Sequence, residues 1–188
     1  MKRLIFIALV AYSVANAQTG KNKFGIDNYV DVPKGKCKID HKCRLQYHYD
    51  EFEKFTSYKT DGFYGSNPNG FYGKAISIYF VKSITEKGDS VIFGFFSGNV
   101  TGCVTKESSI YVLFKDGNKI TLPYSSGEIR CGLDYMMVTI SDENAKSMRD
   151  NPISKIRFNY SDATDDFEVS EKGQERIIDR LKCIIDIN

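Results

Sequence analysis

The alternation of apolar and polar positions is clearest beyond Gly73. Ile76, Ile78 and Phe80 are separated by Ser77 and Tyr79, and Val91, Phe93 and Phe95 are spaced around Ile92 and Gly94. A period of two is the period of a strand, whose successive side chains point to opposite faces. Two strands are therefore predicted, joined through the turn-forming stretch Glu86-Lys87-Gly88-Asp89. A second hairpin is predicted from Ile110, Val112 and Phe114 on one arm and Ile120 and Leu122 on the other. Asp116-Gly117-Asn118 lies between them, and Asp-Gly flanked by alternating apolar residues is a strong short-range hairpin signal.

Residues 133–140 read as a further apolar strand. Ser141 then offers a side-chain acceptor for a short helix that runs through Met148 and stops before Pro152. Ile156, Phe158 and Tyr160 give another strand, and Phe167 with Val169 a short one after an acidic turn. Ser170 caps a terminal helix with Glu171 well placed in its first turn. Ile177, Leu181 and Ile184 recur there at helical spacing, so this helix should close over one face of the sheet.

Upstream the pattern weakens. Residues 18–44 are polar, glycine-containing and aperiodic, which reads as a loop or short edge strands. Leu45, Tyr47 and Tyr49 alternate as in a strand, whereas Leu45, Tyr49, Phe52 and Phe55 fit a short helix, and the pattern alone leaves both open. The stretch from Tyr47 to Phe80 holds 11 of the chain's 25 aromatic residues, more than twice an even share. The sum is five to seven short strands, one minor helix and one terminal helix. This is a mainly β chain, α+β at most: an antiparallel β-sandwich or half-barrel with a short helix and a C-terminal capping helix. A parallel sheet is disfavoured, because most links are too short for crossover helices.

The N-terminus changes what the composition means. Lys2 and Arg3 precede an apolar run from Leu4 to Ala11, and small residues follow at Val14-Ala15-Asn16-Ala17. These are the three parts of a cleavable signal peptide, with cleavage expected between Ala17 and Gln18. The run is broken by Tyr12, Ser13 and Asn16 and falls short of the ~20 apolar residues of a spanning helix. The expected organisation is a signal peptide over 1–17, a polar leader over 18–44 and one β-rich domain over 45–188, working in the periplasm, on the cell surface or outside the cell.

The whole chain carries 26 basic and 24 acidic residues. Two of the basic residues belong to the signal, so the mature chain is neutral. Neutrality disfavours nucleic acid and anionic membranes, which need a basic excess to displace counterions. The lysine-rich leader reads as a solvated segment.

In an exported chain, five cysteines form a disulfide framework with one left over. If Lys115 faces Lys119 across the Asp116-Gly117-Asn118 loop, uninterrupted arms bring Cys103 opposite Cys131. The rival partner for either is Cys183 on the terminal helix. Cys37 and Cys43 are close enough in sequence to close a small loop on each other.

Candidate chemistry is sparse. His41 and His48 lie near Cys43, but a thiolate nucleophile needs a reduced cysteine, which export opposes. Cys37, His41, Cys43 and His48 lack zinc-finger spacing. The turn Asp162-Ala163-Thr164-Asp165-Asp166 with Glu168 lacks the ligand spacing and central glycine of a calcium loop. No catalytic or metal-binding residues and no cofactor are assigned. The candidate ligand surface is Phe63-Tyr64-Gly65 and its repeat Phe71-Tyr72-Gly73, with turn residues between them. Phe63, Tyr64, Phe71 and Tyr72 there can stack a sugar ring or grip a protein, or else pack on the sheet.

From Pro152 onward, the residues Ile156-Arg157-Phe158, Tyr160-Ser161-Asp162, Asp166-Phe167-Glu168-Val169 and Leu181-Lys182-Cys183 resemble a broad group of small exported bacterial proteins of unknown function. The likeness extends back to Phe114-Lys115-Asp116-Gly117 and Cys131-Gly132. It implies export and a β-rich fold and brings no catalytic residues. The expectation is an exported binding module for a protein or glycan. The alternative is an inhibitor or immunity-type protein that neutralises an enzyme or toxin, and a carboxylate-dependent hydrolase ranks third.

Overall fold

A computed structural model describes residues 30–31, 44–67, 74–98, 102–125, 129–131 and 135–187. The fold is mainly antiparallel β in three sheets, with two helices and no closed barrel. The largest sheet runs β1 (Val30–Asp31), β2 (Leu45–Asp50), β3 (Phe55–Thr60), β5 (Lys74–Thr85), β6 (Ser90–Ser97), β11 (Met136–Ile140). Strand β4 (Phe63–Asn67) pairs with the first half of β5, where β3 leaves off. A four-stranded sheet runs β13 (Thr164–Glu168), β12 (Ile153–Asn159), β8 (Ser109–Phe114), β9 (Lys119–Pro123), and β7 (Cys103–Val104) pairs with β10 (Arg130–Cys131). A bridge between Tyr124 and Val138 ties the end of β9 to β11. Strands are more numerous than the sequence pattern predicts, in part because β1, β7 and β10 are only two residues long, too short to show alternation.

The two larger sheets share one core. Ile78, Phe80, Phe96 and Val138 on the inner face of the large sheet meet Ile110, Val112, Phe158 and Phe167 of the four-stranded one. Phe96 and Phe158 touch edge to face, with ring centroids 6.5 Å apart. Helix α1 (Asp142–Asp150) adds Met148, and α2 (Glu171–Ile185) adds Ile177, Leu181 and Ile184. Each side chain buried to this degree stabilises by roughly 1.5–3 kcal/mol. Both helices start on the predicted serines: Ser141 Oγ accepts from Asn144 N and Ser170 Oγ from Gly173 N, each at 3.2 Å.

Two buried cations fix α2 against the sheet. Lys82 of β5 points into the core side and donates Nζ to the carbonyls of Ile185 and Ile187, satisfying acceptors that a helix end leaves open. Burial lowers its pKa, while Asp142 and Asp186 act in the opposite direction. Arg180 donates to the carbonyl and carboxylate of Asp61, at the junction of β3 and β4.

The segment left open by the sequence is a β-hairpin, not a helix. Leu45 faces Thr60 and Asp50 faces Phe55, and β3 is in turn held by β5. A helix over 45–55 would leave that edge of the sheet without these ladders.

The hairpin between β8 and β9 differs from its expected register. Leu113, not Lys115, faces Lys119, and the loop is Lys115-Asp116-Gly117. Gly117 sits at φ 87°, a left-handed position that glycine takes without cost, and this requirement fixes where the loop ends. Continued in that register, the arms would set Cys103 against Ile129. Cys103 and Cys131 nevertheless face each other and form a disulfide, because the connection on the β9 side is two residues longer than on the β8 side. The rival pairing of either with Cys183 is thereby excluded. Cys183, wholly buried on α2, is itself disulfide-bonded. The expected Cys37–Cys43 pair lies outside the described residues.

Candidate functional site: an acidic hairpin tip around Phe52

The turn between β2 and β3 is built by Asp50. Its Oδ1 accepts from Phe52 N at 3.0 Å and from Glu53 N at 2.9 Å, a side-chain turn that replaces a backbone one. Lys54 closes the turn in the left-handed region at φ 55°. This geometry turns Phe52 outward, and it is 87% exposed, more than any other large apolar residue described. Tyr49 behind it is 49% exposed.

The turn between β5 and β6 stands beside it. Glu86 N donates to Lys54 O at 3.3 Å, and the Tyr49 hydroxyl donates to Glu86 Oε1 at 3.3 Å. Partial desolvation, with the neighbouring Glu86 carboxylate, raises the Tyr49 pKa. The two turns together carry Asp50, Glu51, Glu53, Glu86 and Asp89 against Lys54 and Lys87. An apolar ring thus projects from an acidic collar.

Behind the ring, Tyr49, Thr56, Tyr58, Ile84, Thr85 and Glu86 enclose a shallow cleft of about 130 Å³. Small-molecule and cofactor sites occupy about 300–1,000 Å³. The cleft is too small for such a ligand and suits an inserted side chain.

The residues singled out from the sequence lie elsewhere. Phe63 and Tyr64 start β4, paired through the backbone with Ile78 and Ser77, while Phe71 and Tyr72 lie outside the described residues. Cys37, His41 and Cys43 lie outside them as well, and His48 faces Ser57 across the β2–β3 ladder. Among the described residues, no group of three or more His, Cys, Asp or Glu is placed to hold a metal ion. The acidic stretch 162–168 is taken up internally. Asp162 Oδ1 accepts from Cys103 N, Arg157 pairs with Asp166, and Lys155 pairs with Glu168. No described helix is long and apolar enough to cross a membrane.

Sequence reasoning passed over Phe52 because its segment fitted two periodicities. The signal that distinguishes it is local: Asp50 followed by Glu51, Glu53 and Lys54 around one aromatic marks a polar turn, where a buried helix face would continue apolar. No family model, curated protein or solved structure matches the chain.

Proposed function

We propose that this protein is an exported binding module that takes hold of a protein partner through the hairpin tip at Phe52. The observation that carries the reading is an outward aromatic ring, 87% exposed, on a turn held by Asp50 and flanked by acidic residues. Aromatic anchors entering a desolvated pocket dominate interface energetics, and the surrounding charge sets orientation and association rate. The fitting partner surface is an apolar pocket rimmed by Lys or Arg. Export rests on the signal-like N-terminus and agrees with the Cys103–Cys131 disulfide.

The acid excess also favours a narrower version, in which the partner is an enzyme or toxin with a basic cleft and the hairpin blocks it. Inhibition assays against captured partners separate the two.

The test is affinity capture from exported fractions with the mature chain, alongside Phe52→Ala. A partner held by the wild type should lose roughly 30-fold in affinity with the variant, the scale of a hot-spot truncation. Added salt should weaken the complex, and the variant's melting temperature should be unchanged. Equal capture by Phe52→Ala overturns the reading, as does hydrolysis of a substrate panel or glycan binding in place of any protein.

A further inference from the structure

The inner face of the large sheet continues past Lys82, where the end of α2 is anchored, to the cleft behind Phe52. Residues opposite each other on antiparallel strands share a face, so the register sets Tyr58 beside Lys82, and Thr56 between Tyr49 and Ile84. Tyr58 and Ile84 are partly buried against the inner core and form the floor of the cleft with Thr56. Tyr49 and Glu86 are exposed and stand at its rim.

The polar atoms at that rim are acceptors. The Tyr49 hydroxyl directs its proton to Glu86 Oε1 at 3.3 Å, so its oxygen lone pairs and Glu86 Oε2 are left to accept, one beside the other. Partial desolvation, and then the carboxylates of Glu86, Glu51 and Asp50, raise the Tyr49 pKa; the three carboxylates make the potential at the hydroxyl negative. Among the described residues that line the cleft, the charged groups are Glu86 and Lys54. Lys82, a further cation of this face, is turned to the carbonyls of Ile185 and Ile187. Lys54 is exposed on its turn, and its long side chain reaches water freely. The occupant that satisfies these groups brings N–H donors, a positive charge and a flat or apolar body for the tyrosine walls. A neutral apolar side chain leaves both acceptors unpaired. A lysine ammonium is a compact, strongly hydrated point charge, whereas the planar guanidinium of arginine forks across neighbouring acceptors and stacks on aromatic rings.

We propose that the cleft seats an arginine side chain of the protein partner, its guanidinium forked between Glu86 Oε2 and the Tyr49 hydroxyl oxygen and its stem laid over Tyr58, Thr56 and Ile84. The inference rests on the hairpin-tip reading for the source of that arginine: Phe52 enters the partner's apolar pocket while an arginine from the rim of that pocket enters the cleft.

Titration of the mature chain with N-acetyl-arginine amide, followed by NMR of the backbone amides, reads the cleft without any partner. The amides of Tyr49, Thr56, Thr85 and Glu86 should shift, with a dissociation constant on the order of 1 mM for a ligand of this size. The citrulline compound has the same shape without the charge and should shift them far less, and the lysine compound should bind about two- to fivefold more weakly than arginine. Glu86→Gln and Tyr49→Phe should each weaken arginine binding by about the same factor. Lys54→Asn removes the competing cation, keeps a residue that tolerates the left-handed turn, and should strengthen binding. All three positions are exposed, and an unchanged melting temperature shows that the fold is intact. Absence of these shifts at about 10 mM overturns the arginine seat, as does equal binding of citrulline or lysine, or an unchanged constant in Glu86→Gln. Such a failure leaves partner capture with Phe52→Ala as a separate test of the hairpin tip, and equal capture by Phe52→Ala refutes the tip reading whatever the titration gives. Glu86→Gln should also weaken capture of the partner, and unaltered capture by that variant overturns the partner's arginine as the occupant.

Discussion

Replacing Arg180 with methionine removes the polar clamp between α2 and the sheet while keeping most of the side chain's apolar stem. Arg180 is 7% exposed. It donates to Asp61 O at 2.9 Å, to Asp61 Oδ2 at 2.5 Å and to Arg176 O at 3.0 Å, with a longer contact of 3.4 Å to Gly62 O. Asp61 in turn joins the strand edge, accepting from Arg44 N on Oδ1 and donating its own N–H to Arg44 O. A hydrogen bond to a charged partner contributes about 1.5–3 kcal/mol, and one between neutral groups about 0.5–1.5. The Asp61 side chain is 38% exposed, so water screens the ion pair and takes over part of the lost bonding. The expected loss is therefore about 2–3 kcal/mol, less than the sum of the separate bonds. For a chain of this size that lowers the melting temperature by roughly 4–12 °C. Urea unfolding of wild type, Arg180→Met, Asp61→Asn and the double variant gives the coupling directly, and about 1–2 kcal/mol is expected. A loss below about 0.5 kcal/mol with no coupling would falsify the clamp, leaving Lys82 and the stripe of Ile177, Leu181 and Ile184 to hold α2.

Three further substitutions probe other parts of the fold. Gly94→Ala places a methyl 2.7 Å from a Phe96 ring carbon and 2.8 Å from the Ile140 terminal methyl, both in the inner core; overpacking of this kind costs about 1–3 kcal/mol, and an unchanged urea midpoint would show that the core yields freely. Cys103→Ser with Cys131→Ser opens a disulfide of sequence separation 28, for which the chain-entropy model gives a loss of about 3–4 kcal/mol; equal unfolding midpoints for the oxidised wild type and the double variant would contradict it. Tyr160 is held well above the ordinary tyrosine value by burial and by nearby Asp165, so the folded protein keeps a proton that the unfolded chain releases. Its contribution is complete below about pH 10 and falls above that by about 1.4 kcal/mol per pH unit. Tyr160→Phe should therefore flatten the alkaline limb of stability against pH, and parallel curves for variant and wild type would refute the assignment; Lys82, whose pKa burial lowers and which therefore acts with the opposite sign, is common to both proteins and cancels.

Local signals were sufficient where one physical requirement acted alone. Ser141 and Ser170 are the only well-placed acceptors before their apolar stripes, and each caps its helix. Gly88 and Gly117 both take positive φ in the predicted turns. Elsewhere two requirements competed. β6 alternates in sequence, yet Ile92 and Phe96 face the inner core while Phe93 and Phe95 are buried on the opposite side. Alternation identifies a strand but not how many of its faces are covered. The candidate site was the least legible part. Periodicity weighs residues by apolarity, and Phe52 is apolar, exposed and held by a turn that only Asp50 reveals.

Read alone, the chain determined its class: period-two segments separated by turn residues form antiparallel sheets, and capped 3.6-period segments form helices, because both follow from backbone geometry and nearest neighbours. Tertiary structure decided what depends on residues distant in the chain. It shifted the β8–β9 loop by one residue to give Gly117 its conformation, and it brought Cys103 to Cys131 by unequal connections, not by a continued register. It also made 45–60 a hairpin, since β5 offers β3 a ladder that no helix could use. In each case the deciding energy is a contact between segments, and such a contact has no period to betray it in the sequence.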